Sequence, residues 1–320
     1  MQTKIINSSA VDGPDAAPAP RRDTRSAKSP WWRSRQAKGL GYAAPTAVLV
    51  AVFFIWPLAL VGRMSLSDWP LLSGYRGVNA PENYEDVVSS QLFWPAVRFT
   101  LLYTVIATAL LISLALVLAM LVQEGRRGVG FFRTVFFLPS ALGLASAALL
   151  FYGFYSPSVG PLSGLLQDLG LSDKPVSFLG TPTAALMSTV FLIVWKFAGF
   201  YMLILLVGLQ RIPGEVYEAA RMDGASRFQV FRSITLPLLR PSLALCLLLC
   251  VTGSLLAFDQ FFILTKGGPD NATITVVQLI YREAFQRMDL GTAGALSVIV
   301  LLVLLVFNFV QFRGLRDVDE

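Results

Sequence analysis

Hydrophobic positions along this chain fall into long uninterrupted blocks. No charged residue occurs between Lys38 and Arg63, between Arg98 and Glu124, or between Asp289 and Arg313. Each run matches the roughly 20 apolar residues that a helix needs to cross a bilayer core about 30 Å thick. The run between Arg133 and Asp168 is longer, and Pro157 and Pro161 are expected to end its helix before the run ends. Two further blocks, near 183–209 and 241–265, carry one charge each, Lys196 and Asp259. The pattern predicts an all-α integral membrane fold with six transmembrane helices in 39–315.

Composition agrees. The 320 residues are 55% hydrophobic and only 14% charged, with a mean hydropathy of +0.62. Soluble domains carry about a quarter charged residues, so a soluble domain, a disordered chain and a disulfide scaffold are all excluded. The chain has no histidine, which removes His-based catalysis, His proton relays and most zinc or haem sites. Cys246 and Cys250 stand at i and i+4 within an apolar run and read as small apolar side chains.

The net charge of +6 is informative through its distribution. Most Lys and Arg residues lie in 1–38, around Arg126, Arg127 and Arg133, between Arg211 and Arg240, and at Arg313 and Arg316. Basic residues favour the cytoplasmic side. Both termini are therefore expected in the cytoplasm, and the loops near 64–95, 156–182 and 266–290 outside. The charge orients the chain and gives no reason to expect nucleic acid. Residues 1–38 read as a disordered basic cytoplasmic tail, with Trp31 and Trp32 as interfacial anchors or the edge of the first helix. Residues 316–320 form a second short tail.

One loop, between the fourth and fifth spans (211–240), carries legible local chemistry. Pro213 favours a helix start, and Glu215 and Glu218 follow in the first turns. Gly224 suits the left-handed position that ends a helix. Ser226 with Gln229 makes a capping box for a second helix. Phe228, Phe231 and Ile234 recur at helical spacing as one apolar stripe, and Pro237 and Pro241 interrupt the helix before the next span. On these residues alone, a helix lying on the membrane surface and one docking to a partner protein stand level.

The same residues carry a resemblance. Glu218-Ala219-Ala220, then Gly224, then Ile234, Leu236 and Pro237 is similar to the EAA motif of the permease subunits of binding-protein-dependent ABC importers. Phe132-Arg133-Thr134 with Phe137-Leu138-Pro139, the stretch from Trp195 to Pro213, and Phe258-Asp259 followed by Leu264 to Pro269 resemble the carbohydrate-class permeases. The resemblance covers roughly 40–315.

It implies a type I ABC-importer permease fold in which the loop forms cytoplasmic coupling helices seated in a separate ATPase subunit. Glu218, Ala219, Ala220, Asp223, Gly224, Ile234, Leu236 and Pro237 would be the ATPase-coupling residues. The implied partners are a second homologous permease, two ATPase subunits, membrane lipid, and an extracellular or lipid-anchored solute-binding protein. The implied location is the bacterial cytoplasmic membrane. The chain has no G-x-x-x-x-G-K-[ST] loop, so no cofactor is expected on it, and ATP and Mg belong to the partner ATPase.

Charges within spans are costly and mark cavities or partners. By the helical rise of 1.5 Å per residue, Lys196 lies about 18 Å below the outer end of its span and Asp259 about 8 Å below its own. Direct pairing would have to bridge that difference. Trp195, Lys196, Tyr201, Phe258, Asp259 and Phe262 form the expected substrate pathway, and Phe200 and Phe261 are aromatic neighbours. Gly291 to Gly294 reads as close helix packing. An ion-coupled secondary transporter would need more spans or inverted repeats, and a membrane-embedded enzyme lacks a metal motif or paired intramembrane acids. The chain reads as a sugar-importer permease, without catalytic or metal-binding residues of its own.

Overall fold

The computed structural model describes residues 35–123 and 128–316. The expected tail up to Ser34, with Trp31 and Trp32, the basic pair Arg126 and Arg127, and 317–320 lie outside the described residues. The chain divides into two units at Trp56–Pro57. The first contains α1 (Arg35–Val50) and a π-turn over Ala51–Ile55. The second takes up nearly all of α2 (Trp56–Ser65), followed by an antiparallel pair, β1 (Ser67–Asp68) with β2 (Gly77–Val78), and then α3 (Glu82–Ser89). Next come α4 (Phe93–Val122), α5 (Val129–Phe137), α6 (Leu144–Phe154), α7 (Pro161–Asp168) and α8 (Pro182–Gln210). After these are α9 (Gly214–Met222), α10 (Arg227–Val230), α11 (Leu236–Leu238), α12 (Arg240–Leu255), α13 (Asp259–Leu264), α14 (Val276–Tyr281) and α15 (Leu290–Arg316).

Among the described residues, five helical stretches are long and apolar enough to cross a membrane: Tyr42–Ser65, Phe93–Val122, Pro182–Gln210, Arg240–Leu264 and Leu290–Gln311. The remaining expected span, the third along the chain, is broken. Val129–Ala141 and Leu144–Phe154 meet at 94°, well before Pro157, where the sequence placed the helix end. Pro139 starts a 3-10 turn over Leu138–Ala141, and Leu142 and Gly143 are extended, with ψ of 146° and 143°. Proline brings no N–H to the helical ladder, so the ladder gives way there.

The core forms where α4 meets α8. Tyr103, Ala107, Leu111, Ala115 and Ala119 recur every four residues along α4 and are all buried. That spacing keeps them on one face, and the alanines let another helix come close. Leu192, Met202 and Leu205 of α8, Cys246 and Cys250 of α12, and Phe261 of α13 complete this cluster. Cys250 donates to Thr108 Oγ1 at 3.5 Å. A smaller cluster joins Val87 of α3, Ala96 of α4, Leu279 of α14 and Leu296 of α15.

Two glycines permit contacts that no side chain would. At Gly199 a Cβ would overlap the backbone carbonyl oxygen of Phe136, so α8 meets the backbone of α5 there. At Gly294 a Cβ would lie 3.0 Å from the Ser65 backbone nitrogen and 3.2 Å from the Val61 carbonyl oxygen. The glycine-rich start of α15 therefore serves close packing, as its sequence suggests. Asp289 caps α15 by accepting from the backbone N–H groups of Gly291 and Thr292 at 2.9 and 3.1 Å.

Glu283, buried at 3% exposure, accepts from Arg287 at 3.0 Å. Burial pushes its carboxyl above the usual carboxylate range, against the pull of Arg287. The folded state thus holds this proton to higher pH than the unfolded chain does. The sign follows: stability is greatest below the ordinary carboxylate value and falls as pH rises through the raised one.

Two expected outcomes test this packing. Gly199→Val should lower the melting temperature of the detergent-purified protein, at a cost of about 1–3 kcal/mol from overpacking. Gly153→Ala, within α6 where a Cβ meets nothing within 4 Å, should leave it unchanged or raise it slightly, since glycine in a helix costs about 0.5–1 kcal/mol relative to alanine. Glu283→Gln should flatten the fall in melting temperature with rising pH; an identical slope in the variant would assign that dependence elsewhere.

Candidate functional site

The loop after α8 is built as its residues dictate. Pro213 stands at the N-cap of α9, with Glu215 in the first turn. The helix closes on Gly224 at φ +74°. The N–H of Gly224 donates to Arg221 O at 3.1 Å and that of Ala225 to Ala220 O at 3.0 Å. These two bonds make a Schellman closure. Ser226 Oγ then accepts from Gln229 N at 3.3 Å, and Gln229 Oε1 accepts from Ser226 N at 2.8 Å. The capping box read from the sequence is thus formed, and the turn between α9 and α10 is satisfied at both ends.

The residues expected to couple to an ATPase do not all face the same way. Glu218, Ala219, Asp223 and Gly224 are exposed, while Ala220 is buried at 7%. Ile234, Leu236 and Pro237 are half-buried. The expected apolar stripe on the second helix is not continuous: Phe228 is 68% exposed, whereas Phe231 and Ile234 are half-buried. Beyond α10 the helix continues as a π-turn over Phe231–Thr235, where the 3.6-residue spacing is lost. Thr235 Oγ1 donates back to Val230 O at 3.4 Å, and Tyr217 OH lies 3.4 Å from Thr235 Oγ1. That contact ties α9 to the π-turn. Pro237 and Pro241 sit in the first turns of α11 and α12, and Leu239 marks the interruption between them.

A second feature lies among the spans. A cavity of about 300 Å³ is lined by Tyr103 and Leu111 of α4, Leu144 of α6, Ile193, Phe197 and Tyr201 of α8, Cys250, Gly253 and Ser254 of α12, and the stretch Leu256 to Gln260. The helix of the fifth span breaks there, because Leu256 to Phe258 leave helical geometry between α12 and α13. Asp259 is exposed and opens α13, where the helix dipole favours its charge. It marks a break within the span rather than the span's end. Gln260 is buried and donates to Tyr103 OH at 3.2 Å, while among the described residues its Oε1 has no partner.

The expected pathway residues divide between this cavity and its surroundings. Tyr201, Phe258 and Asp259 line it. Trp195 instead packs on Phe151, with ring centroids 5.1 Å apart. Phe262 stacks on Phe258 at 5.1 Å and meets Tyr281 at 5.0 Å. Phe261 is fully buried between Phe99 and Tyr103. Lys196 is not among the lining residues: its Nζ lies 4.9 Å from the ring centroid of Phe197 and donates to the carbonyl oxygens of Ser140, at 3.3 Å, and Leu142. Among the described residues it makes no ion pair with Asp259. Sequence reading passed over Tyr103, Ser254 and Gln260, because their polar atoms converge only across α4, α12 and α13. A signal existed in the polar pair Asp259-Gln260 within an apolar block.

A family model described as the binding-protein-dependent transport system inner membrane component matches residues 112–315. A probable ABC transporter permease protein of Bacillus subtilis (strain 168), YurN, is 32% identical over 89% of this chain and 99% of its own length. The trehalose/maltose transport system permease protein MalF of Thermococcus litoralis is 35% identical over 87% of this chain and 94% of its own. A bacterial ABC transporter involved in the import of the acidic polysaccharide alginate shares the fold, with a TM-score of 0.77 at 23% identity over 90% of this chain and 100% of that one. Apolar spans, a doubly capped helix turn carrying Glu218-Ala219-Ala220 and these matches converge: the chain belongs to the family of binding-protein-dependent transport system inner membrane components, the permeases of ABC transporters.

Proposed function

We propose that this chain is the permease subunit of an ATP-driven importer that moves a sugar or related polar solute across the bacterial cytoplasmic membrane by alternating access. The observation that carries this reading is the capped turn between α9 and α10. It holds Glu218, Ala219 and Asp223 outward on a short rigid helix. Such a helix can transmit a push, because the bonds from Gly224 N to Arg221 O and from Ala225 N to Ala220 O keep its outer end from unwinding. The occupant of its outer face is a separate ATPase subunit, which binds ATP and Mg. A second permease completes the membrane pathway, and a solute-binding protein delivers cargo from outside.

The cavity is the proposed passage for solute. Its lining residues include hydroxyl, amide and carboxylate groups and no Lys or Arg. The unpartnered Gln260 Oε1 and the Asp259 carboxylate are both acceptors, which suits a solute rich in hydroxyl donors. Tyr201 and Phe258 supply apolar faces for a sugar ring. An uncharged di- or oligosaccharide fits this chemistry better than an acidic one, in keeping with the trehalose/maltose permease among the relatives.

Reconstitution in proteoliposomes with the ATPase, second permease and binding protein tests the reading. Uptake of maltose or trehalose, used as probes, should require ATP and survive collapse of ion gradients. Uptake driven by an ion gradient alone would overturn it. Glu218→Lys should lower uptake at least about tenfold, a loss of about 1.4 kcal/mol or more, while the chain stays in the membrane. Gly224→Val should weaken the turn by about 1–2 kcal/mol, the cost of a branched residue at left-handed φ, and reduce co-purification of the ATPase. Asp259→Ala should lower uptake with assembly intact; normal uptake would remove Asp259 from the pathway.

A further inference from the structure

Lys196 lies far from either end of α8 and is 2% exposed. Its donors go to backbone rather than to solute: the carbonyl oxygens of Ser140 and Leu142 both accept from its Nζ. Those carbonyls lie at the break between α5 and α6, where the chain leaves helical geometry and no following turn can supply N–H donors. Gly199, nearly one turn further along α8, removes the side chain that would collide with Phe136 O. The same region of α8 therefore admits the broken chain and supplies its missing donors.

Position makes this contact more than a cap. Leu144, two residues beyond the last carbonyl held by Lys196, lines the same cavity as Ile193, Phe197 and Tyr201 of α8. The other end of α8 leads through Arg211, Ile212 and Pro213 into α9. That connection is hydrogen-bonded, since Arg211 N donates to Gly208 O and Ile212 N to Leu209 O, each at 3.2 Å. One continuous helix thus runs from the coupling loop to the break.

We propose that Lys196 is a positioning residue that fastens the broken span to α8, so that a displacement of α9 carries both of these cavity walls together. This rests on the reading of α9 as the coupling helix. Without the ammonium, α8 would move while α6 lagged, and force from the ATPase would be spent in opening the break. A Lys196 that contacted solute directly would have to face the cavity, and it faces carbonyls.

The test uses the assembled importer with ATPase, second permease and binding protein. Lys196→Met should keep the complex together but reduce stimulation of ATP hydrolysis by the binding protein about tenfold, equivalent to one decade in rate. Lys196→Arg, which retains N–H donors, should restore most of it. Spin labels at Leu142→Cys and Phe200→Cys, both exposed positions, should report one distance in the nucleotide-free and vanadate-trapped states when Lys196 is present. Cys246 and Cys250 are replaced by serine for this measurement. The distance should broaden in Lys196→Met.

Wild-type stimulation in Lys196→Met would overturn the proposal. So would a label distance that changes between states with Lys196 in place, a result that decides the matter even if the Met variant fails to assemble. Loss of stimulation in Glu218→Lys but not in Lys196→Met would leave α9 as the coupling helix and remove Lys196 from its action.

Discussion

A broken helix among membrane spans poses one demand before any other: its carbonyls need donors where water is scarce. Between α5 and α6 that demand is met by a lysine from another helix. A charged side chain buried at 2% exposure would ordinarily be costly, and here the cost is offset because two carbonyl dipoles surround the ammonium. The break in turn needs α8 close by, and Gly199 provides the room. The 94° bend, the buried lysine and the glycine are one arrangement. The lysine supplies donors to the carbonyls at the bend, and the glycine lets α8 come close to the backbone just before it.

The rest of the packing follows from how near helices can come. On one face of α4, the alanines at 107, 115 and 119 share a four-residue spacing with Tyr103 and Leu111 and let the main core come together closely. The cavity opens where this closeness ends. It lies beside two helix breaks, one in the third span and one between α12 and α13. Irregular backbone at membrane depth is tolerated where it lines a cavity, and the polar atoms of Tyr103, Ser254 and Gln260 gather at that place.

At the other end of α8, the proposed coupling loop depends on local chemistry. A glycine at positive φ, a serine cap and a glutamine three residues on close the turn with short-range hydrogen bonds. Its proposed task is mechanical, and a small element can serve it because its ends are satisfied. Force arriving on α9 meets α8 through three residues that are themselves hydrogen-bonded.

Much of this was legible in order along the chain. Block length foretold the apolar spans, because a bilayer sets one length for every helix. Gly224, Ser226 and Gln229 foretold the capped turn, because caps and left-handed turns act over a few residues. The π-turn at Phe231–Thr235 was not legible: the apolar spacing of Phe228, Phe231 and Ile234 looked helical. The bend at Leu142–Gly143 was hidden for a similar reason, since an uncharged run does not say which proline breaks it. Lys196 and Asp259 stood out as a pair of opposite charges, yet folding gave the lysine to carbonyls and left the carboxylate at the cavity. Residue order by itself determined which segments are apolar and how local turns close. Only the tertiary structure decided what each buried polar group faces, because its partners come from helices far apart in sequence.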